Sequence, residues 1–289
     1  MAPGPVPRTS SAPAKRIERA RVPPARKGSR TRAAIPPAVL RELNAGRIET
    51  RSLVEWLAID FAVLARSTLA EILPSRALER VAQRLESNAE LGIVARTQLA
   101  GSALAEALGS GAVRERRLRA LATHTSDTLR GWAAYAATGG DATLATRLVV
   151  VRPFAADGHS GVRELAWMAV RPAIAAEIEL ALKLLSRWSL DGDANVRRFA
   201  SESTRPRGVW CAHVPALRAD PSPGLALLEP LRADPSKYVR DSVANWLNDA
   251  SKDDPAWVRS VCARWSRESR GPETAYVVKR AQRTLRRPR

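Results

Sequence analysis

One short frame recurs along this chain. An aspartate is followed five residues later by Val-Arg at Asp157 to Val162-Arg163, Asp191 to Val196-Arg197 and Asp234 to Val239-Arg240. A looser copy, with histidine leading, runs from His124 to Leu129-Arg130. The apolar anchors at 129, 162, 196 and 239 are 33, 34 and 43 residues apart. A unit of that length cannot bury an apolar face alone and has to stack on its neighbours. The leading aspartate suits a turn and helix N-terminus, where side-chain caps and anions are favoured. The Val or Leu opens the buried stripe, and the arginine projects near the helix start. With two helices per unit, the expected fold class is all-α, a right-handed α-solenoid of HEAT-like helical repeats. A fifth echo, Asp253 to Val258-Arg259, follows after 19 residues, half a step, and reads as the next helix.

The rest of the chain agrees. From Ala33 onward apolar residues recur at helical spacing, as in Leu53, Val54, Leu57, Phe61 and Leu64, for which Thr50 is the expected cap. Strand signals are nearly absent; the short run Leu148 to Val151 reads as a buried helix segment. Residues 1–32 differ: rich in Pro, Ala, Ser and Arg, they carry nine basic residues against one acid, Glu18. They read as a disordered basic arm that draws the chain to nucleic acid, with a transit peptide or a dispensable leader as alternatives. The expected division is an arm over 1–32 and one repeat domain over 33–289.

A net charge of +18 and a pI near 11.3 call for a polyanionic partner, with nucleic acid ahead of a membrane surface or an acidic protein. No apolar run approaches the ~20 residues of a membrane span. Cys211 and Cys262 are far apart and the three histidines are scattered, so neither a disulfide framework nor a metal site is indicated, and a reducing cytoplasm fits. No cofactor motif appears: there is no phosphate-binding glycine loop, GxSxG or HExxH.

Chemistry concentrates between Asn195 and Asp249. Arg130, Arg163, Arg197 and Arg240, one per unit, would align as a stripe suited to a phosphate backbone; the alternative is that they pair with the aspartate of a neighbouring unit. Arg205, Arg207 and Lys237 add positive charge beside them. Arg198 and Glu202 are one helical turn apart and can touch, which would fix the carboxylate. Trp246 and Asp249 share a helix face, and Trp210 ends a Pro/Gly/Arg-rich loop, an uncommon place for a core residue. Trp56, Trp132, Trp188, Trp257 and Trp265 lie in apolar helical patterns and are expected in the core. From the residues alone, a DNA-processing enzyme, a silent nucleic-acid-binding solenoid and a protein–protein scaffold all remain open.

The stretch NVRRFASESTRPRGVW and, after it, LRADPSPGLALLEPLRADPSKYVRDSVANWLNDASKDDP resemble the AlkC/AlkD-like DNA alkylation repair family, the HEAT-repeat alkylpurine DNA glycosylases, on the AlkC side. The likeness covers about Val162 to Pro255, with a similar start at Leu43 to Asp60, and does not reach residues 1–32. It implies a monomeric, cofactor-free glycosylase acting on duplex DNA with cationic N3- or N7-alkylated bases, foremost 3-methyladenine, read without extruding the base. It further implies Asp249 as the residue that positions water and Glu202 as the one that stabilises the sugar cation. Trp210 would stack on the lesion, with Trp246 as a further ring, and Arg198 would orient Glu202 or hold a phosphate. One position departs from the family pattern. AWMAVRP carries Trp167 where a glutamate is usual, and Glu164 is the nearest acid. Either Trp167 adds a stacking ring and Glu164 substitutes, or the substrate range differs.

Overall fold

A computed structural model describes residues 26–285. Among these residues there are sixteen α-helices, five short 3-10 turns and no strand. The chain opens with α1 (Pro37–Asn44), α2 (Leu53–Ala58), α3 (Phe61–Thr68), α4 (Ser75–Glu86), α5 (Ile93–Ala107) and α6 (Gly111–Ala122). The repeats follow as α7 (Asp127–Thr138) with α8 (Leu144–Ala155), and α9 (Ser160–Ala176) with α10 (Ile178–Leu185). Next come α11 (Ala194–Ser203) with the short α12 (Pro215–Ala219) and α13 (Leu225–Leu228), and α14 (Lys237–Ala250) with α15 (Pro255–Glu268). The last is α16 (Pro272–Ala281).

The four frame copies start α7, α9, α11 and α14, and these helices stack side by side in chain order, extended by α5 at one end and α16 at the other. This is the HEAT-like solenoid that the periodicity predicts. Its core is the row of anchors: Leu129, Val162, Val196 and Val239 are all fully buried. Two glycines allow close approaches between stacked helices. A Cβ on Gly101 would lie 2.2 Å from Tyr135 of α7, and one on Gly131 would lie 2.3 Å from Leu165 of α9. The long step of 43 residues also has a local cause: between α11 and α12 the chain makes an irregular excursion over 204–214, which carries Arg205, Arg207 and Trp210.

The frame is built identically each time. The leading aspartate accepts the amide two residues on: Asp157 from His159 (2.7 Å), Asp191 from Asp193 (2.9 Å) and Asp234 from Ser236 (2.8 Å). In the first copy His124 does the same job, its Nδ1 accepting the Ser126 amide at 3.0 Å. Each frame arginine then folds back on the turn that precedes it. Arg130, Arg163, Arg197 and Arg240 donate through Nη1 to the carbonyls six and five residues earlier, at 2.6–3.0 Å. Asp, or His124 in the first copy, and Arg together therefore clamp the starts of α7, α9, α11 and α14.

The N-terminal side departs from expectation in two places. The helix expected from Thr50 breaks at Ile59, because Asp60 caps a new one by accepting the Val63 amide at 3.0 Å. Ser52 caps α2, while Thr50 bonds Asp127 of α7 instead. Of the expected arm, residues 1–25 lie outside the described residues. Residues 26–32 are docked: the Arg26 guanidinium grips the fully buried Glu55 at 2.5 and 2.9 Å.

Candidate functional site

Three helices and one loop bring the non-repeating charges together. Glu164, Trp167 and Arg171 come from α9, Arg198 and Glu202 from α11, Arg205 from the 204–214 loop, and Ser242 and Asp249 from α14. Arg198 Nη2 lies 2.7 Å from Glu164 Oε1 and 3.5 Å from Glu202 Oε2. Arg205 sits between the next two carboxylates, with Nη1 2.6 Å from Glu202 Oε1 and Nε 2.8 Å from Asp249 Oδ2. The result is one chain of alternating charge, Glu164–Arg198–Glu202–Arg205–Asp249, that crosses three repeats. Glu202 and Asp249 are only 5% and 3% exposed.

The electrostatics keep Glu202, Arg198 and Arg205 ionised. Burial works to raise the Glu202 carboxyl, but the Arg198 and Arg205 charges, with hydrogen bonds from Ser242 (2.7 Å) and Arg205, outweigh it and hold the group below the usual carboxylate range. Burial likewise works against the Arg198 and Arg205 cations, and the neighbouring carboxylates overcome it in both. Both Glu202 oxygens are occupied. Asp249 is freer, since its Oδ1 meets only Lys252 Nζ, at 3.3 Å.

Arg171 was not foreseen as part of this arrangement. It is buried, and it donates to the carbonyls of Ser203 (2.9 Å), Arg205 (2.6 Å) and Ala212 (3.1 Å). It thus ties both ends of the loop that carries Arg205 and Trp210 to α9. Burial pushes its guanidinium down from the usual arginine range. Tyr238 is a second such residue, with Arg198 over its ring at 4.3 Å and Arg163 at 5.0 Å. Both were visible in the sequence, in AWMAVRP and beside Val239-Arg240, but neither breaks a local pattern.

The tryptophans sort differently from the sequence reading. Trp210 is 53% exposed, as its loop position suggested. Trp246 has no exposed surface; its indole donates to Thr204 O at 3.1 Å and its ring packs on Trp257 and over Gly224. It is a core residue and offers no face to a lesion. Trp167 is also buried, and it orients Glu164 through Nε1 at 2.9 Å from Oε2. Trp56, expected in the core, is half-buried and lines an open cavity of about 600 Å3 together with Trp210 and Glu164. Glu202 and Asp249 do not line that cavity; Arg198 links it to them.

The basic residues expected on DNA also sort. Arg205 is buried in the charge chain, its guanidinium committed to Glu202 and Asp249. The frame arginines are committed to their turns, and two of them also pair with the aspartate of the next unit, Arg130 with Asp157 and Arg197 with Asp234. That is the alternative weighed against a phosphate stripe. Arg207 shares Asp253 with Arg218, and hydrogen bonds from Arg218 and Arg207 pull the Asp253 carboxyl to about 2. Lys237 is exposed beside Asp241. Among the described residues no cluster of metal-ligating side chains occurs, and no helix is long and apolar enough to cross a membrane.

Residues 77–281 match the DNA alkylation repair enzyme family. The chain belongs to that family. This family member is similar in structure to the Pseudomonas fluorescens alkylpurine DNA glycosylase AlkC, solved bound to DNA containing an abasic site analog. The TM-score is 0.64 at 26% identity, over 78% of this chain and 61% of AlkC. AlkD2 from Streptococcus mutans shares the fold, with a TM-score of 0.56 at 20% identity over 72% of this chain and 98% of AlkD2. In sequence the family member is 46% identical over 117 residues to the uncharacterized protein YhaZ of Bacillus subtilis, 40% of this chain and 32% of YhaZ. The chain therefore spans about a third of YhaZ in that match and less than two thirds of AlkC.

Proposed function

We propose that this protein is a DNA glycosylase that hydrolyses the N-glycosidic bond of cationic N3- or N7-alkylated purines in double-stranded DNA, 3-methyladenine foremost. The observation that carries the reading is the chain of three carboxylates, Glu164, Glu202 and Asp249, held by two guanidinium groups inside a protein of net charge +18. A strongly basic surface suits the duplex, and a local run of carboxylates suits a cation.

The chemistry needs little else. When C1′–N breaks, its electron pair stays with the base and neutralises the base's positive charge, so no strong general acid is required. The sugar becomes oxocarbenium-like, and negative charge fixed nearby stabilises it. Glu202, with both oxygens already bonded, is suited to that fixed-field role. Asp249, with the less occupied Oδ1, is suited to orient the water that adds to C1′ and to take its proton. Trp210 is the ring available to stack on the lesion. The reaction consumes only water, and the protein acts as a monomer in the cytoplasm.

The test is release of 3-methyladenine from methylated duplex DNA, followed by chromatography. Wild type is expected to release the base, and Asp249→Asn to lose roughly 10²-fold or more in rate while still binding duplex with a steep dependence on salt. A wild-type protein that releases no alkylated base from any methylated duplex sinks the enzyme reading and leaves a silent DNA-binding solenoid.

A further inference from the structure

Residues 26–32, RKGSRTR, contain no hydrophobic residue, yet they are fixed against the rest of the protein. What fixes them is one carboxylate. Glu55 of α2 is fully buried, and each of its oxygens accepts two hydrogen bonds. Oε1 takes Arg26 Nη1 (2.5 Å) and the Ser29 amide (2.9 Å), and Oε2 takes Arg26 Nη2 (2.9 Å) and the Arg51 amide (2.8 Å). Ser52 caps α2 and Glu55 is the third residue of that helix, so a bond back to the entering chain is what a capping box calls for. The other three bonds go to the strap. Ser52 adds one more, its hydroxyl donating to the Ser29 carbonyl at 2.8 Å. Gly28 makes room, since a Cβ there would lie 2.3 Å from the Arg51 carbonyl oxygen.

Of the four cations in the strap, only Arg26 takes part in this lock. Lys27, Arg30 and Arg32 are exposed, and among the described residues no carboxylate lies within ion-pair distance of them. Arg51, on which the strap packs, is exposed in the same way and lines the open cavity with Trp56 and Trp210. Holding like charges at fixed positions costs free energy, which a partner of opposite sign offsets. The five residue steps from Lys27 to Arg32 span at most about 18 Å, the axial rise of about five phosphates along one DNA strand. The strap offers no ring or aliphatic chain as a hot spot for a protein or as an anchor in a membrane interface. Its exposed guanidinium, ammonium and hydroxyl donors suit phosphate oxygens.

We propose that the strap is a DNA clamp. Lys27, Arg30, Arg32 and Arg51 grip the phosphate backbone of the duplex at the mouth of the open cavity, and the buried Glu55 is the positioning residue that holds them there. This rests on the DNA-binding part of the proposed function. It adds a contact outside the region shared with the family, since residues 77–281 carry the family match and the strap precedes them. Part of the charge expected of a loose basic arm is thus delivered at fixed positions, where it can set the register of the duplex.

The test measures binding of the full chain to a short unmodified duplex by fluorescence anisotropy, over salt from about 50 to about 200 mM. The triple variant Lys27→Ala, Arg30→Ala, Arg32→Ala is expected to make the plot of log affinity against log salt shallower by about 2–3. At the lowest salt it should bind at least about tenfold more weakly. Glu55→Gln removes no cation and raises the net charge, so charge alone predicts equal or tighter binding; the clamp predicts binding at least about threefold weaker. Thermal unfolding identifies a Glu55→Gln that has lost its fold, in which case the triple variant decides alone, because its three side chains are exposed. The inference is overturned by an unchanged salt slope in the triple variant, or by a folded Glu55→Gln that binds duplex as tightly as wild type. It is also overturned if the triple variant keeps its duplex binding and loses binding to phosphatidylglycerol vesicles instead. If any of these appears while wild type still releases 3-methyladenine from duplex, the clamp is wrong and the glycosylase reading stands. A clamp that behaves as expected in a protein that releases no base would instead sink the glycosylase reading alone.

Discussion

Arg197 and Arg198 are neighbours in sequence and belong to different parts of the molecule. Arg197 is a frame residue: it clamps the Asp191–Gly192 turn and pairs with Asp234, the equivalent aspartate of the next unit. Arg198 lies off the frame, against the ring of Tyr238 and between Glu164 and Glu202. A helix turns about 100° per residue, so adjacent side chains point at different neighbours. The repeat fixes what the frame direction meets, because the same turn precedes every stacking helix. It leaves the other direction free to vary from unit to unit, and that is where the non-repeating charges collect. Periodic residues hold the solenoid together; residues that break the period make the candidate site.

The sharpest way to break this distinction is to remove one arginine of each kind and compare stability by urea denaturation. Arg205→Met leaves Glu202 and Asp249 buried without their shared cation, and is expected to cost about 3–5 kcal/mol. Arg240→Met removes a frame arginine with no carboxylate partner, held by two carbonyl bonds at 2.7 and 2.8 Å and lying over the Tyr276 ring at 5.6 Å, and is expected to cost about 1–2 kcal/mol. Equal losses would mean that the site charges are scaffold like the rest. A larger loss for Arg240→Met would place the clamp, not the charge chain, at the centre of the fold's stability.

The same distinction explains what could be read from the sequence. The solenoid was legible because four copies of one frame repeat an identical capping geometry, so each copy supports the others. Glu202 and Arg198 could be paired because they sit one turn apart on one helix. Arg205 was misread as a phosphate ligand because its second partner, Asp249, is 44 residues away; no local pattern reports a bond across two helices. Trp56 and Trp246 depart from expectation for a related reason. Trp56 and Trp246 both lie in helices, and whether a ring faces the core or a cavity depends on which helix stacks opposite, which periodicity within the helix does not specify. Trp132 and Trp265 are buried as expected, and Trp210, in a loop that the repeat step does not account for, is exposed as its position suggests.

The smallest test concerns the one irregular frame copy. His124 replaces the leading aspartate, and its Nδ1 can accept the Ser126 amide only while that nitrogen carries no proton. Burial, and next the Arg130 charge, hold the imidazole below the usual histidine range. An unfolded chain takes up this proton near pH ~6.5, before the folded one does. Protonation therefore favours the unfolded state: the contribution of His124 is complete above about pH 6.5 and is lost as pH falls from there through the lower folded value. His124→Asp keeps the cap, restores the leading aspartate of the other copies, and titrates only near pH ~4. The variant is expected to match or slightly exceed wild type at pH ~7, and to exceed it by an additional amount under about 1 kcal/mol at pH ~5. Urea midpoints measured at both values check this. If the gap does not widen on acidification, the histidine is not the acceptor in that turn, and the first unit is held by Arg130 and its two acidic partners, Glu49 and Asp157, alone.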